Sequence, residues 1–146
     1  MAFEHDPIDM AHKIIKKYHT CDPYILVNKL GYILMYANLG DINYAQRDYF
    51  KRITVITLND QIDEYWQHFV LCHEIGHALL HKGFSTAFYR HTSGCGMVNW
   101  AEKDANLFAM QLEIARYDDI ALNHMTDYRL LEAIGLDESL ARYIKR

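Results

Sequence analysis

Apolar and polar residues fall into a helical rhythm near the start of the chain. In residues 7–19, PIDMAHKIIKKYH, Ile8, Ala11, Ile14, Ile15 and Tyr18 recur at helical spacing and lysines take the far side, which predicts an amphipathic helix. DPYILVNKLG predicts a second, short helix: Asp22 suits the N-cap, Pro23 the first helical position, and Gly31 falls just past the end. The period then changes. YILMYA (32–37) and FKRITVITL (50–58) are rich in β-branched and aromatic residues, INYAQ (42–46) reads as a weaker strand, and QRD is placed to turn the chain. The expectation is a small, largely antiparallel sheet of about three short strands.

Asn59 and Asp60 end the sheet and are expected to cap a helix over roughly 61–81. Within it Ile62, Trp66, Phe69, His73, Gly76, His77 and Leu80 repeat at i+3/i+4, so two histidines lie on the stripe that faces the core, and Gly83 is placed to end the helix. Residues 83–98 show no periodicity and predict a long loop, of a length that is often functional. A helix resumes in VNWAEKDANLFAMQLEIARY, with Asn99 as cap and Ala101, Ala105, Phe108 and Leu112 facing inward. DYRLLEAIGLDESLARYI predicts two further helices, broken at Gly135 and restarted at Asp137.

This order of elements is an α+β pattern. With no repeat, low-complexity tract or linker, 146 residues predict a single domain over 1–146, a core in 1–115 and a helical C-terminal extension in 116–146. A hydrophobic fraction of 51% beside 23% charged residues is globular composition. The formal charge of −4 argues against holding nucleic acid by an overall field. The start, MAFEHDPIDM, lacks the marks of a signal peptide, and no apolar run approaches the roughly 20 residues that cross a bilayer. Cys21, Cys72 and Cys95, three thiols without a CxxC pair, fit a reducing compartment. A cytoplasmic protein with no membrane contact is therefore expected.

HEIGH, residues 73–77, changes the picture more than composition does. It is H-E-x-x-H on a predicted helix. Four residues advance about 40° past a full turn and rise about 6 Å, so both imidazoles can close on one ion. Glu74, offset to the flank, can reach a water bound to that ion without taking a coordination position. Gly76 removes bulk where another element must come close. His81 continues the series but stands about 12 Å from His73 along the axis, too far to share the ion. A structural role near the helix C-terminus is expected, where a protonated imidazole suits the dipole.

A catalytic zinc needs a third protein ligand and an open fourth position. Glu102 and Asp104 both offer a carboxylate, about 200° apart on an ideal helix, and Asn99-x-x-Glu102 also reads as a capping box. Asn106, one turn on from Glu102, could bond a ligand's other N–H. His91 and Cys95 are further loop donors, although Cys95 in SGCG reads as an ordinary loop thiol.

These residues carry a resemblance. ITVITLND, FVLCHEIGHALLH and EKDANLFA stand in the order of the ImmA/IrrE family of small zinc metallopeptidases, and Glu102 through Ala109 resembles the family's second signature. The resemblance implies a zincin-like fold, Zn2+ held by His73, His77 and Glu102, and Glu74 as catalytic base. It implies a protein substrate, namely a helix-turn-helix repressor whose cleavage relieves repression. The Leu-Leu-Met-Pro stretch common in the family is replaced by MQLEIARYDD, without proline. Tyr89 and His91 are candidate oxyanion donors in the loop between the motifs. Two other readings compete. A fourth protein ligand would make the metal a structural clip in a non-catalytic partner-binding protein. The helix-break-helix at 127–144, with Arg129, Arg142, Lys145 and Arg146, would suit a DNA-binding regulator, against the overall acidity.

Overall fold

The computed structural model describes residues 6–81, 87–89 and 96–146, with side chains described for all of these except 87–89 and 96–99. Asp6 caps α1 (Pro7–Tyr18), its carboxylate accepting from the amides of Ile8 and Asp9. Asp22 caps α2 (Pro23–Lys29), and Gly31 follows at φ +78. The Asp22 cap matches the sequence reading, because a side-chain acceptor, a proline and a glycine act locally.

Four strands form the sheet: β1 (Ile33–Ala37), β2 (Asn43–Phe50), β3 (Ile53–Asn59) and β4 (Ala87–Tyr89), in the order β1-β3-β2-β4. β1 runs parallel to β3, β2 antiparallel to β3, and β4 antiparallel to β2. The sheet is therefore mixed. QRD does not turn the chain but lies inside β2. The turn is Lys51–Arg52, both at positive φ (50 and 67), closing a two-residue hairpin between Phe50 and Ile53. Such a turn matches strand twist but is usually announced by Asn-Gly or Asp-Gly, which this chain lacks. β4 falls within residues expected to be a loop.

Period-two alternation puts Ala45 and Arg47 of β2 on the same face as their partners Leu58 and Ile56 of β3, and all four are buried. The parallel pairing of β1 and β3 requires residues 38–42 to cross the sheet end, and Asn59 holds that crossing. Its Nδ2 donates to Gly40 O at 2.9 Å and Asn43 O at 2.8 Å, and its Oδ1 accepts from Leu39 N at 3.3 Å and Gln61 N at 3.0 Å. With its side chain committed there, Asn59 does not cap the next helix. Asp63 does, accepting from Trp66 N at 2.9 Å.

That helix, α3 (Glu64–Leu80), is buried continuously from Phe69 to His77. It ends at Leu80 with His81 as cap, and Gly83, the expected stop, lies outside the described residues. α4 (Gly96–Ile114) packs along it. Because α4 starts at Gly96, Asn99 is inside the helix rather than at its cap, and the capping-box reading of Glu102 falls away. A β-carbon on Gly76 would sit 2.9 Å from Phe108 Cδ1 and 3.2 Å from Phe108 Cβ, so the glycine admits the Phe108 ring against α3. α5 (Asp119–Asn123) was not expected, and α6 (Asp127–Ile134) was. Gly135, at φ +83, caps α6 against the Tyr65 ring of α3. The last expected helix is a 3-10 helix, Glu138–Tyr143, capped by Asp137. Its Ile144 end and Leu130, Leu131 and Ile134 join the same apolar cluster as Phe69, Leu71 and Phe108. Among the described residues, no helix is long and apolar enough to cross a membrane.

Candidate metal centre

Two of the sequence-predicted site residues, His73 and His77, stand one helical turn apart on α3, fully buried, with ring centroids 4.6 Å apart. The antiparallel run of α4 brings Glu102 across from both. His73 Nε2 lies 2.9 Å from Glu102 Oε2, and His77 Nε2 lies 3.1 Å from Glu102 Oε1. One carboxylate thus straddles two imidazoles. Asp104, the rival carboxylate, points to His81 instead, with Oδ2 3.6 Å from Nε2.

The outer nitrogens explain the ring orientations. His73 Nδ1 lies 2.7 Å from Asn106 Oδ1, an acceptor, so Nδ1 carries the proton and Nε2 is bare. His77 Nδ1 lies 2.9 Å from His81 Nδ1, and one of the two must donate. With the proton on His77, His81 accepts and turns its own Nε2–H toward Asp104. His81 also packs edge-on against Trp100 at 5.0 Å. When both rings are neutral, these supports turn two Nε2 lone pairs toward the Glu102 carboxylate in a buried space. Such lone pairs repel unless a positive charge sits among them. Two imidazole nitrogens and one carboxylate oxygen are a donor set that fits zinc.

Electrostatics carry the same signature. Burial lowers the pKa of His77 to about 3 despite the bond to Glu102, so this ring is neutral. Burial also disfavours charge on His73, but the hydrogen bond and charge of Glu102 outweigh it and the pKa rises: a proton does there what a metal cation would do. Glu102 is held well below the usual carboxylate range, because the bonds from His73 and His77 overcome its own burial. His81 departs from expectation. Burial holds its pKa below the ordinary value against the pull of Asp104, so the protonated imidazole proposed for the helix end is disfavoured.

Glu74 lies beside this group, 1% exposed. A donor atom from each of His73, Glu74 and His77 lies within 4.8 Å of the others, so distance alone offers an ion two carboxylates. Arg47 separates their roles. Its Nη1 donates to Glu74 Oε1 at 2.8 Å, both side chains being buried, while Glu74 Oε2 has no hydrogen-bond partner among the described residues. Burial raises the Glu74 pKa, with His73 and Arg47 pulling the other way. Arg47 was missed in the sequence because QRD was read as a turn. The alternation Ala45, Arg47 was the available signal. Tyr89 contributes backbone pairing with Asn43, its side chain lying outside the described residues, as do His91 and Cys95 entirely.

Residues 27–143 match the peptidase family described as the IrrE N-terminal-like domain (Peptidase_M78). Over 102 residues, 70% of this chain, the sequence is 33% identical to an uncharacterized immunity region protein 2 of Bacillus phage phi105, and the match spans 64% of that relative's length.

Proposed function

The chain belongs to the IrrE N-terminal-like peptidase family, and on that premise we propose that it is a zinc-dependent endopeptidase of zincin-like fold, with His73, His77 and Glu102 as metal ligands and Glu74 as general base. The observation that carries this is the Glu102 carboxylate lying across the Nε2 atoms of both His73 and His77, with Glu74 Oε2 beside them and without a hydrogen-bond partner among the described residues. A zinc ion bound there would supply Lewis acidity, bringing a bound water's pKa to about 7 and polarising a carbonyl.

The chain's own residues divide the remaining work. Glu74 Oε2 takes the proton of the attacking water and passes it to the leaving amine. Arg47 fixes the other oxygen and holds the carboxylate in one orientation. Asn106 and the His81–Asp104 pair fix the two ligand rings. β4, an outer strand of the sheet, can receive an extended peptide by backbone pairing. The immunity-region relative and the family together favour a helix-turn-helix repressor as substrate.

The test is incubation of the zinc-loaded protein with a helix-turn-helix repressor, one encoded in an adjacent gene being the first choice of substrate. Specific cleavage is expected for the wild type. Glu74→Gln should retain zinc and lose at least about a hundredfold in rate. Full activity in Glu74→Gln would defeat the assignment.

A further inference from the structure

Closer to the start of α3, His68 and Cys72 repeat the four-residue spacing of His73 and His77, and Glu113 of α4 stands opposite them. A donor atom from each of these three lies within 4.8 Å of the other two. Cys72 and Glu113 are fully buried, and His68 retains 19% of its side-chain exposure.

The group is poorly satisfied as a plain ion pair. His68 Nδ1 and Glu113 Oε1 approach to 2.8 Å, yet off the line a ring N–H needs, so His68 Nδ1 completes no hydrogen bond. Arg116 Nη1 reaches Glu113 Oε1 at 3.2 Å, and Glu113 Oε2 is buried without a hydrogen-bond donor among the described residues. An imidazole–carboxylate pair also gives no purpose to the thiol beside it. Nitrogen, sulfur and oxygen donors converging from two helices are what a borderline-soft divalent ion takes. The His68 imidazole keeps 19% of its side-chain exposure, so the group is not sealed from solvent.

We propose that His68, Cys72 and Glu113 form a second divalent-metal site, suited to zinc, which clamps α3 to α4 away from the candidate catalytic centre. Binding displaces the Cys72 proton to give a thiolate ligand. The site stands whether or not the protein is a peptidase.

The candidate catalytic ligands contain no sulfur, which makes the two sites spectroscopically separable. The experiment uses the full chain with Cys21→Ser and Cys95→Ser, leaving Cys72 as the sole thiol, titrated with cobalt(II). Two equivalents bound per chain and a thiolate-to-cobalt charge-transfer band are expected. Cys72→Ala should abolish the band and leave one equivalent. His68→Gln, at a partly exposed position, should weaken the band-forming event at least about tenfold with unchanged far-ultraviolet circular dichroism. One equivalent with no band in the parent, or an undiminished band in His68→Gln, overturns the proposal.

Discussion

The seam between α3 and α4 carries two clusters laid out on one plan, each an i, i+4 pair on α3 facing a glutamate on α4. What surrounds them differs. Around His73, His77 and Glu102 the outer ring nitrogens are braced by Asn106 and by His81, and the neighbouring Glu74 is neutralised by Arg47 from the sheet. Around His68, Cys72 and Glu113 there is a thiol, and the guanidinium that reaches Glu113 is that of Arg116, 40% exposed and just past the end of α4. The first arrangement keeps two rings bare toward one point and leaves a carboxylate oxygen ready beside it. The second lacks any such base. The comparison teaches that helical spacing is enough to gather a donor set, whereas the proposed hydrolysis also requires a second carboxylate held apart from it.

The two arginines give the sharpest contrast. Arg47→Met should cost about 3–5 kcal/mol of folding stability, since both partners of its ion pair are buried, whereas Arg116→Met should cost less, its guanidinium being 40% exposed and His68 Nδ1 remaining 2.8 Å from Glu113. Urea melts of the two variants read this directly, and equal costs would erase the distinction. Next in size, Glu102→Ala should weaken zinc binding at least about a hundredfold and stop cleavage, while Glu113→Gln leaves cleavage intact. Competition against a chromogenic chelator measures the first and a cleavage assay the second. Asn106→Ala should weaken zinc about 10–100-fold by releasing the His73 ring. The same titration checks it.

Acid and base should act on the metal-free protein with opposite signs. His77 has its folded pKa lowered from 6.5 to about 3, so the unfolded chain binds more protons across that window and stability falls as pH drops from 6.5 toward 3. Glu102, also lowered, adds to this loss below its ordinary range. His73 is raised, so its contribution is complete below 6.5 and is lost as pH rises through its folded pKa. Glu74, raised, also loses its contribution as pH climbs above its ordinary range, so thermal melts without metal should decline toward both acid and alkali. A monotonic rise into alkali would contradict the His73–Glu102 pairing.

Much of the scaffold was legible because its signals are local. Asp22 and Asp137 cap the elements they precede, and Gly135 stops α6 in a left-handed conformation. The approach of His73, His77 and Glu102 was foreseeable from helical spacing together with the resemblance of the second motif. What escaped depends on contacts distant in sequence. Lys51–Arg52 adopts a turn that neither residue type announces, and misplacing it hid Arg47. Asn59 looked like a helix cap and is spent on a crossover that only the parallel β1–β3 pairing creates. His68 and Glu113 carry no motif in the sequence, and their meeting follows only from the antiparallel lie of two helices.

Phe108 rests against the bare backbone of Gly76, so a missing methyl group sets how far apart the two helices stand. In the proposed sites that gap would set the bite of the donor atoms on either side, and bite selects ion size: about 2.0–2.2 Å for zinc to nitrogen and oxygen against 2.3–2.6 Å for calcium. Selectivity for the smaller ion would thus be dictated by a residue that never touches it, and Gly76→Ala would be expected to drift the preference toward larger cations.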